Sequence, residues 1–196
     1  MARLRSHAPV AFPGETKAMK YFTHVDSPLG TMLLVSNGSS LTGLYFVGQK
    51  YVAQPAEDWI QTEVAQPFPD VKRQLAEYFA GERRTFDLPL SFEGTPFQQR
   101  VWRAIAAIPH GQTISYGALA RSVGTPRSVR AAGAATGRNP ISLVVPCHRV
   151  VGSDGSLTGY AGGLDRKRRL LALETSDGGS VRELRPAAEP QGQLRF

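Results

Sequence analysis

The amino-acid sequence predicts an α/β (α+β) protein: a small N-terminal antiparallel sheet with one helix, followed by a mostly helical C-terminal domain with a helix-turn-helix. Three observations support this fold class. Residues 20–46 hold three short alternating apolar segments separated by turn residues, a pattern typical of a meander. Residues 96–174 place many apolar side chains at helical spacing. The charge balance also changes, because residues 1–94 hold 9 Lys+Arg and 10 Asp+Glu, whereas residues 95–174 hold 11 and 3.

The N-terminal half is expected to form the sheet and its covering helix. The predicted strands are residues 20–25, 31–36 and 41–46, with Asn37-Gly38 as a turn between the last two. A helix is predicted over Asp70 to Gly81 from four side chains on one face: Val71, Leu75, Tyr78 and Phe79. The chain is thus divided into a flexible arm at 1–18, an α/β domain at 19–94 that ends in a linker at 82–94, a second domain at 95–174, and a flexible tail at 175–196.

The second domain is expected to open with three helices. Thr95 is the predicted N-cap of the first, with Pro96 at its first position, and His110-Gly111 is expected to end it. Its apolar stripe comprises Phe97, Val101, Ile105 and Ile108. An extended piece at 113–116 leads to a short helix at 117–123. A turn at Gly124-Thr125 and a helix at 126–136 then complete a helix-turn-helix pattern.

The helix predicted at 126–136 combines arginines with very small residues. Arg127 and Arg130 precede the run Ala131-Ala132-Gly133-Ala134-Ala135. Side chains this small let a helix backbone approach a partner closely. The residues alone leave two interpretations open, a groove of DNA or a tight helix–helix contact, and the arginines favour DNA.

The remaining predicted elements surround a single cysteine. Leu143-Val144-Val145 is predicted as a short buried strand that leads to Cys147, and Gly152 to Gly155 as a tight turn. A glycine-rich loop covers 157–163, but it lacks the lysine and spacing of a phosphate-binding P-loop, which excludes an NTPase of that type. A helix follows at 164–174. Its predicted inward residues are Leu170, Leu171 and Leu173, and its predicted outward residues are Arg166, Lys167, Arg168 and Arg169.

Composition limits the function. One cysteine excludes an internal disulfide and a multi-cysteine zinc site, and it fits a reducing cytosol. The first 20 residues lack the apolar region of a secretory signal, and we expect no membrane-spanning segment. Ten of the eleven cations in residues 95–174 are arginine, which favours nucleic acid as a partner. A basic surface with no other role than solubility is the alternative.

Cys147 has two possible roles. A free cysteine most often packs as a small buried hydrophobe. However, Arg149 and a protonated His148 are close in sequence, and nearby cations favour the reactive thiolate. Adjacent residues of a strand point to opposite faces, so a direct Cys147–His148 pair requires the strand to end at Pro146. Otherwise a water molecule must join the two side chains.

The run Pro146-Cys147-His148-Arg149-Val150 resembles the active-site motif of the O6-alkylguanine-DNA alkyltransferases, also called methylated-DNA–protein-cysteine methyltransferases. The resemblance covers residues 20–174 loosely and residues 95–174 closely. Further matching segments are Ile114-Ser115-Tyr116, Arg130, Asn139-Pro140, Gly159-Tyr160-Ala161-Gly162-Gly163-Leu164 and the helix that ends at Glu174. The resemblance implies a ribonuclease H-like N-terminal domain, a winged helix-turn-helix in the C-terminal domain, and no cofactor.

The resemblance also implies a reaction. Members of the family flip an alkylated guanine out of duplex DNA and transfer its alkyl group once to their own cysteine, here Cys147. The resemblance implies that His148 contacts the thiol through water and that Glu174 orients His148. It implies that Asn139 is a hinge beside the active site. Tyr116 is implied to rotate the nucleotide by a clash with the 3′ phosphate and then to donate a proton toward the guanine ring.

The remaining implied site residues bind DNA or form the alkylguanine pocket. Arg130 resembles the finger that fills the vacated base stack. The other implied DNA-binding residues are Thr125, Arg127, Ser128, Ala131 and Thr136, together with Tyr116. The implied pocket residues are Val145, Val150, Tyr160, Ala161 and Gly162, with the carbonyls of Val145 and Cys147 accepting the exocyclic amine. Trp102 is expected to be a core residue.

The sequence departs from the family pattern in two respects. Ala161 stands where many members carry serine, which removes a hydroxyl near O6 and puts the selectivity for larger alkyl groups in doubt. The single cysteine predicts that no structural zinc site is present.

The expected partner is double-stranded DNA with alkylated guanine, bound by a cytoplasmic monomer that can cluster on DNA. A DNA-lesion sensor without chemistry and a cysteine hydrolase are the alternatives.

Overall fold

The computed structural model describes residues 19–125 and 127–175, so the predicted arm and all of the predicted tail except Thr175 lie outside the described residues. The strands are β1 Tyr21–Val25, β2 Met32–Ser36, β3 Leu41–Phe46, β4 Ile60–Gln61, β5 Ile114–Ser115 and β6 Val150–Val151. The helices are α1 Phe68–Phe79, α2 Pro96–Ala106, α3 Tyr116–Ser122, α4 Val129–Gly137 and α5 Leu164–Thr175, with a 3₁₀ turn at Cys147–Arg149. Within the described ranges no helix is long and apolar enough to cross a membrane.

The N-terminal sheet confirms the predicted antiparallel meander. The strand order is β3-β2-β1-β4, and β2 pairs antiparallel with both β1 and β3. The two-residue strand β4 pairs parallel with β1 and was not predicted. Helix α1 begins two residues earlier than predicted, with Pro67 as its N-cap residue, and it buries Phe68, Val71, Leu75 and Tyr78.

One hydrophobic core joins the two halves of the chain. Its buried residues come from the sheet, from α1 and from the C-terminal helices, and they include Leu34, Phe46, Tyr78, Ile105, Leu119, Val145 and Leu170. Backbone hydrogen bonds also cross between the halves, because Leu44 N donates to Pro140 O and Ser142 N donates to Leu44 O, each at 2.8 Å. The N-terminal half therefore supports the chain just before Cys147. The boundary near residue 94 stays a prediction.

The start of α2 confirms the predicted cap. The Thr95 side chain accepts a hydrogen bond from Gln98 N, and the Gln98 side chain accepts one from Thr95 N, which completes a capping box. The helix ends at Ala106, before the predicted stop at His110-Gly111. The predicted extended piece at 113–116 contains β5, which pairs parallel with β6. Tyr116 already belongs to α3.

Three predictions about the C-terminal half were wrong. The fourth helix begins at Val129 rather than at Pro126, and Arg127 lies in the preceding turn. Residues 143–145 form turns instead of a strand, because Leu143 has a φ of +70° and Val145 N donates back to Ile141 O. Lys167, predicted to face outward, is fully buried. The inward positions of Leu170 and Leu171 are confirmed.

Candidate active site

Cys147 is held at the start of a 3₁₀ turn by the side chain of Asn139. The Asn139 amide donates to Val145 O at 2.8 Å and to Cys147 Sγ at 3.1 Å. Its oxygen accepts a hydrogen bond from Ile141 N at 3.0 Å. One buried side chain thus fixes both ends of the loop 141–147 and contacts the sulfur. The thiol itself is nearly buried, with 4% of Cys147 exposed.

His148 contacts the last turn of α5. Its Nε2 lies 2.9 Å from Glu174 Oε1, and both side chains are fully buried. The carboxylate accepts, so Nε2 is the protonated nitrogen and Nδ1 is left as an acceptor. Nδ1 is buried without a hydrogen-bond partner among the described residues. Among the described hydrogen bonds, the His148 side chain binds Glu174, whereas Cys147 Sγ binds Asn139.

Glu174 is the acceptor around which the site is built. Arg149 donates to both carboxylate oxygens, Nε to Oε2 at 2.9 Å and Nη2 to Oε1 at 2.8 Å. Tyr78 Oη donates to Oε1 at 2.8 Å, and Gly111 N donates to Oε2 at 3.3 Å. Gly111 has a φ of +73°, and a side chain at this position would come within 3.2 Å of the Glu174 carbonyl oxygen, so both conformation and space favour glycine.

The charge state of this network follows from its contacts. Burial raises the pKa of Glu174, but the hydrogen bonds from His148 and Arg149 outweigh it and hold that pKa well below the usual range. Burial lowers the pKa of His148, against the opposing effect of Glu174. His148 is therefore favoured in its neutral form, which has a free acceptor nitrogen.

Lys167 is a buried cation next to the thiol. Its Nζ donates to Val150 O at 2.5 Å and Thr158 O at 2.7 Å, and it lies 5.9 Å from the centre of the Tyr116 ring. Burial lowers the pKa of Lys167 to about 8, partly opposed by the charge of Cys147. Burial raises the pKa of the Cys147 thiol, whereas the Asn139 hydrogen bond and the Lys167 charge lower it.

The sequence contained a signal for the buried position of Lys167 that the prediction missed. Lys167, Leu170, Leu171 and Glu174 recur at helical spacings of three, one and three, so they share one face of α5. A lysine and a glutamate on the same stripe as two core leucines indicate an inward-facing polar site rather than a solvated surface. Arg168 and Arg169 are exposed, as predicted.

The predicted pocket residues gather beside the sulfur. Val145 and Val150 are fully buried, and Tyr160 lies with its ring centre 6.5 Å from that of His148. The Tyr160 hydroxyl is buried and has no hydrogen-bond partner in the described part of the chain. Tyr116, 7% exposed, donates to Gly159 O at 2.9 Å and also contacts Thr158 O. Burial raises the pKa of the Tyr116 phenol, so it stays protonated.

The N-terminal half holds the loop that completes this pocket. Lys50 N donates to Ala161 O at 3.2 Å. Arg166 donates to Gly162 O at 2.9 Å and to Leu29 O at 2.8 Å, and its guanidinium lies 4.7 Å from the centre of the Phe46 ring. Lys50 of the N-terminal half therefore holds Ala161, and Arg166 of α5 holds Gly162.

The predicted DNA-binding residues separate into two groups. Arg127, Ser128, Arg130 and Ala131 are exposed around the start of α4. Thr136 does not lie on this surface, because it is 3% exposed and its hydroxyl donates to Ala132 O at 2.8 Å. Thr125 is partly buried, and its hydroxyl faces Ala120 O at 3.4 Å.

Each of the two interpretations of the small-residue helix, a DNA groove or a helix–helix contact, applies to part of α4. Ala132, Gly133 and Ala135 are buried in a helix–helix contact, where Trp102 Nε1 donates to Ala135 O at 2.8 Å. Trp102 is a core residue, as expected, with 2% exposed. Only the first turn of α4 remains open to a partner. Within the described ranges, no group of three or more His, Cys, Asp or Glu side chains is placed to hold a metal ion.

Comparison with known proteins identifies the family. The model of the 6-O-methylguanine DNA methyltransferase DNA-binding domain matches residues 96–176, and that of the ribonuclease-like domain of the same proteins matches residues 20–92. The chain belongs to the 6-O-methylguanine DNA methyltransferase family. The α/β fold with a ribonuclease-like N-terminal part, predicted from the resemblance, is thereby confirmed.

Relatives of this methyltransferase family span most of the chain. A methylated-DNA–protein-cysteine methyltransferase of Mycolicibacterium paratuberculosis is 51% identical over 151 residues, covering 76% of this chain and 89% of the relative. One from Methanosarcina barkeri is 48% identical, covering 80% and 98%. A crystal structure of Mycobacterium tuberculosis OGT in complex with DNA has a TM-score of 0.74 at 46% identity, covering 80% of this chain and 93% of that chain.

Proposed function

We propose that this protein repairs DNA by transferring the alkyl group of O6-alkylguanine, and also of O4-alkylthymine, to Cys147 in a single irreversible reaction. The observation that carries the proposal is one nearly buried thiol that Asn139 holds, next in sequence to the buried His148–Glu174 pair and within range of the charge of the buried Lys167 ammonium. Membership of the methyltransferase family and a solved relative in complex with DNA support it.

The proposed reaction is an in-line displacement. The thiol proton of Cys147 passes through a water molecule to His148 Nδ1, the nitrogen without a partner, and Glu174 stabilises the imidazolium that forms. The sulfur then forms a bond to the alkyl carbon as the bond from that carbon to guanine O6 breaks. The electron pair of the broken bond passes to the guanine ring, which takes a proton from Tyr116. The Tyr116 phenolate then regains a proton from water, and His148 releases the thiol proton to water, so both side chains return to their starting states. The products are a thioether and guanine.

Access to the lesion requires the nucleotide to leave the duplex, which costs a few kcal/mol of lost stacking and pairing. Arg130 is exposed at the start of α4 and is the side chain that takes the vacated place in the stack. The flipped base is then bound between Val150 and Tyr160. The exocyclic amine of guanine approaches Val145 O, which also accepts hydrogen bonds from Asn139 Nδ2 and Cys147 N, each at 2.8 Å.

The proposed partner is double-stranded DNA carrying alkylated guanine, bound by a monomer in the cytoplasm. Two alternatives involve the same residues. A lesion sensor would bind DNA and leave Cys147 unmodified. A cysteine hydrolase would use Cys147 and His148 repeatedly and would not need the exposed arginines of α4.

The deciding experiment is stoichiometric labelling. The protein is mixed with excess duplex carrying one O6-methylguanine, and its peptides are analysed by mass spectrometry over time. We expect one methyl on the peptide that contains Cys147, restored guanine in the DNA, and no further reaction. Cys147→Ala, which removes only the sulfur, should bind the duplex but acquire no methyl. Continued turnover, a methyl on another residue, or binding without a methyl would each refute the proposal.

A further inference from the structure

Tyr78 links the N-terminal half of the chain to the active site. It lies in the last turn of α1, 96 residues before Glu174 in the sequence, and it is 2% exposed. Its ring packs against Phe86 with ring centres 5.4 Å apart and edge-on to His110 at 6.3 Å. These ring contacts hold the side chain in one position and so fix the direction in which its hydroxyl points.

The hydroxyl of Tyr78 shares an acceptor with His148. Tyr78 Oη lies 2.8 Å from Glu174 Oε1, the same oxygen that binds His148 Nε2 at 2.9 Å and Arg149 Nη2 at 2.8 Å. A carboxylate oxygen has about two lone-pair sites, so three donors share the charge of Oε1. Tyr78 is the one of these three donors that comes from the N-terminal half.

We propose that Tyr78 is a positioning residue for alkyl transfer: its hydroxyl holds the Glu174 carboxylate in the orientation that binds His148 and limits the negative charge that Oε1 presents to the imidazole. The proposal rests on the proposed function, in which His148 receives the thiol proton. It gives the N-terminal half a defined part in the reaction, because α1 supplies one of the groups that set the basicity of His148.

The physical argument concerns the balance of charge around the imidazole. Glu174 favours the imidazolium, and the cations Arg149 and Lys167 oppose it, as does burial. Removing the Tyr78 hydroxyl leaves more charge on Oε1 and strengthens its attraction for a protonated His148. The pKa of His148 then rises, so the neutral imidazole that accepts the thiol proton is lost at a higher pH on the acid side. At neutral pH the effect is on orientation, because the Glu174 carboxylate that binds His148 has lost one of the hydrogen bonds that hold it. Cys147 and the buried Tyr160 phenol also lie near His148, and Tyr78→Phe leaves both unchanged.

The test compares Tyr78→Phe with Tyr45→Phe. Tyr45 is also a buried tyrosine of the N-terminal half, but it packs in a separate cluster with Leu33 and Val35. Single-turnover methyl transfer is measured with protein in excess over an O6-methylguanine duplex, across a series of pH values. We expect the Tyr78→Phe rate at neutral pH to fall about tenfold, the effect of losing one hydrogen bond to a charged group. The acid limb of its pH profile should move to higher pH, whereas Tyr45→Phe should match the wild type.

A double-mutant cycle separates positioning from a purely structural role. In a Glu174→Gln background, which removes the carboxylate charge, Tyr78→Phe should change the rate less than twofold. Binding to an undamaged duplex should be unchanged, and all rates are measured below the melting transitions of the variants. An unshifted pH profile in Tyr78→Phe, or an equal loss of rate with and without the Glu174 carboxylate, would overturn the proposal. If the wild type itself transferred no methyl, the proposed function would fail instead.

Discussion

Lys167→Met should change how the stability of this protein depends on pH. Methionine fills a similar volume without a charge, so the substitution removes the ammonium that α5 buries beside Cys147. A pKa lowered to about 8 from 10.5 corresponds to a cost of about 3 kcal/mol for keeping Lys167 charged in the fold at neutral pH. The hydrogen bonds to Val150 O and Thr158 O reduce this cost but do not cancel it.

The direction of this pH dependence follows from the number of protons that Lys167 binds in the folded and unfolded states. Between about pH 8 and 10.5 the lysine is neutral in the folded state and charged in the unfolded state, so the unfolded state binds more protons. The contribution of Lys167 to the free energy of unfolding therefore rises with pH across this window. At pH 7 both states are protonated and the full cost is present. Relative to Lys167→Met, the lysine protein should gain about 3 kcal/mol between pH 7 and 10.5.

The assay is urea unfolding at a series of pH values, with both proteins in a Cys147→Ala background so that the thiol does not titrate. Glu174 and His148 have pKa values below this pH window, so they keep one charge state in both proteins and do not contribute to the difference across it. Lys50→Met is the matched control, because the Lys50 side chain is exposed and its removal should leave the two curves parallel. Parallel curves for Lys167→Met would show that the ammonium is not buried as the structure places it.

Two further substitutions test the roles of single side chains. Arg130→Ala should slow methyl transfer from the duplex at least tenfold but leave the reaction with the free base O6-methylguanine unchanged, because a free base need not be flipped. Equal rates of duplex repair in the variant and the wild type would contradict the proposed role of Arg130. Asn139→Ala should lower the free energy of unfolding by about 1–3 kcal/mol, since it leaves the buried Ile141 N without its acceptor and removes one of the two donors to Val145 O. Urea unfolding measures this loss, and a change below about 1 kcal/mol would contradict the hinge assignment.

Local patterns predicted the elements that local chemistry decides. The Thr95-Pro96 cap and the alternating strands were confirmed because a cap and a strand face depend on near neighbours in the chain. The strand predicted at 143–145 failed because Asn139, from outside that segment, holds it in turns. The parallel pairing of β5 with β6 was also missed, because the two strands lie far apart in the sequence.

Residue identity and order were sufficient to predict the family, the division of charge between the halves, and the candidate nucleophile. The tertiary structure alone decided which groups surround that nucleophile. Tyr78 and Gly111 are 96 and 63 residues from Glu174, yet both donate to its carboxylate. Lys167 was predicted to lie on the outward face of α5, but it is buried near Cys147. The contacts of Tyr78 and Gly111 with Glu174 depend on how α1 and the segment after α2 pack against α5, and residues this far apart in the sequence show no spacing pattern that predicts such a contact.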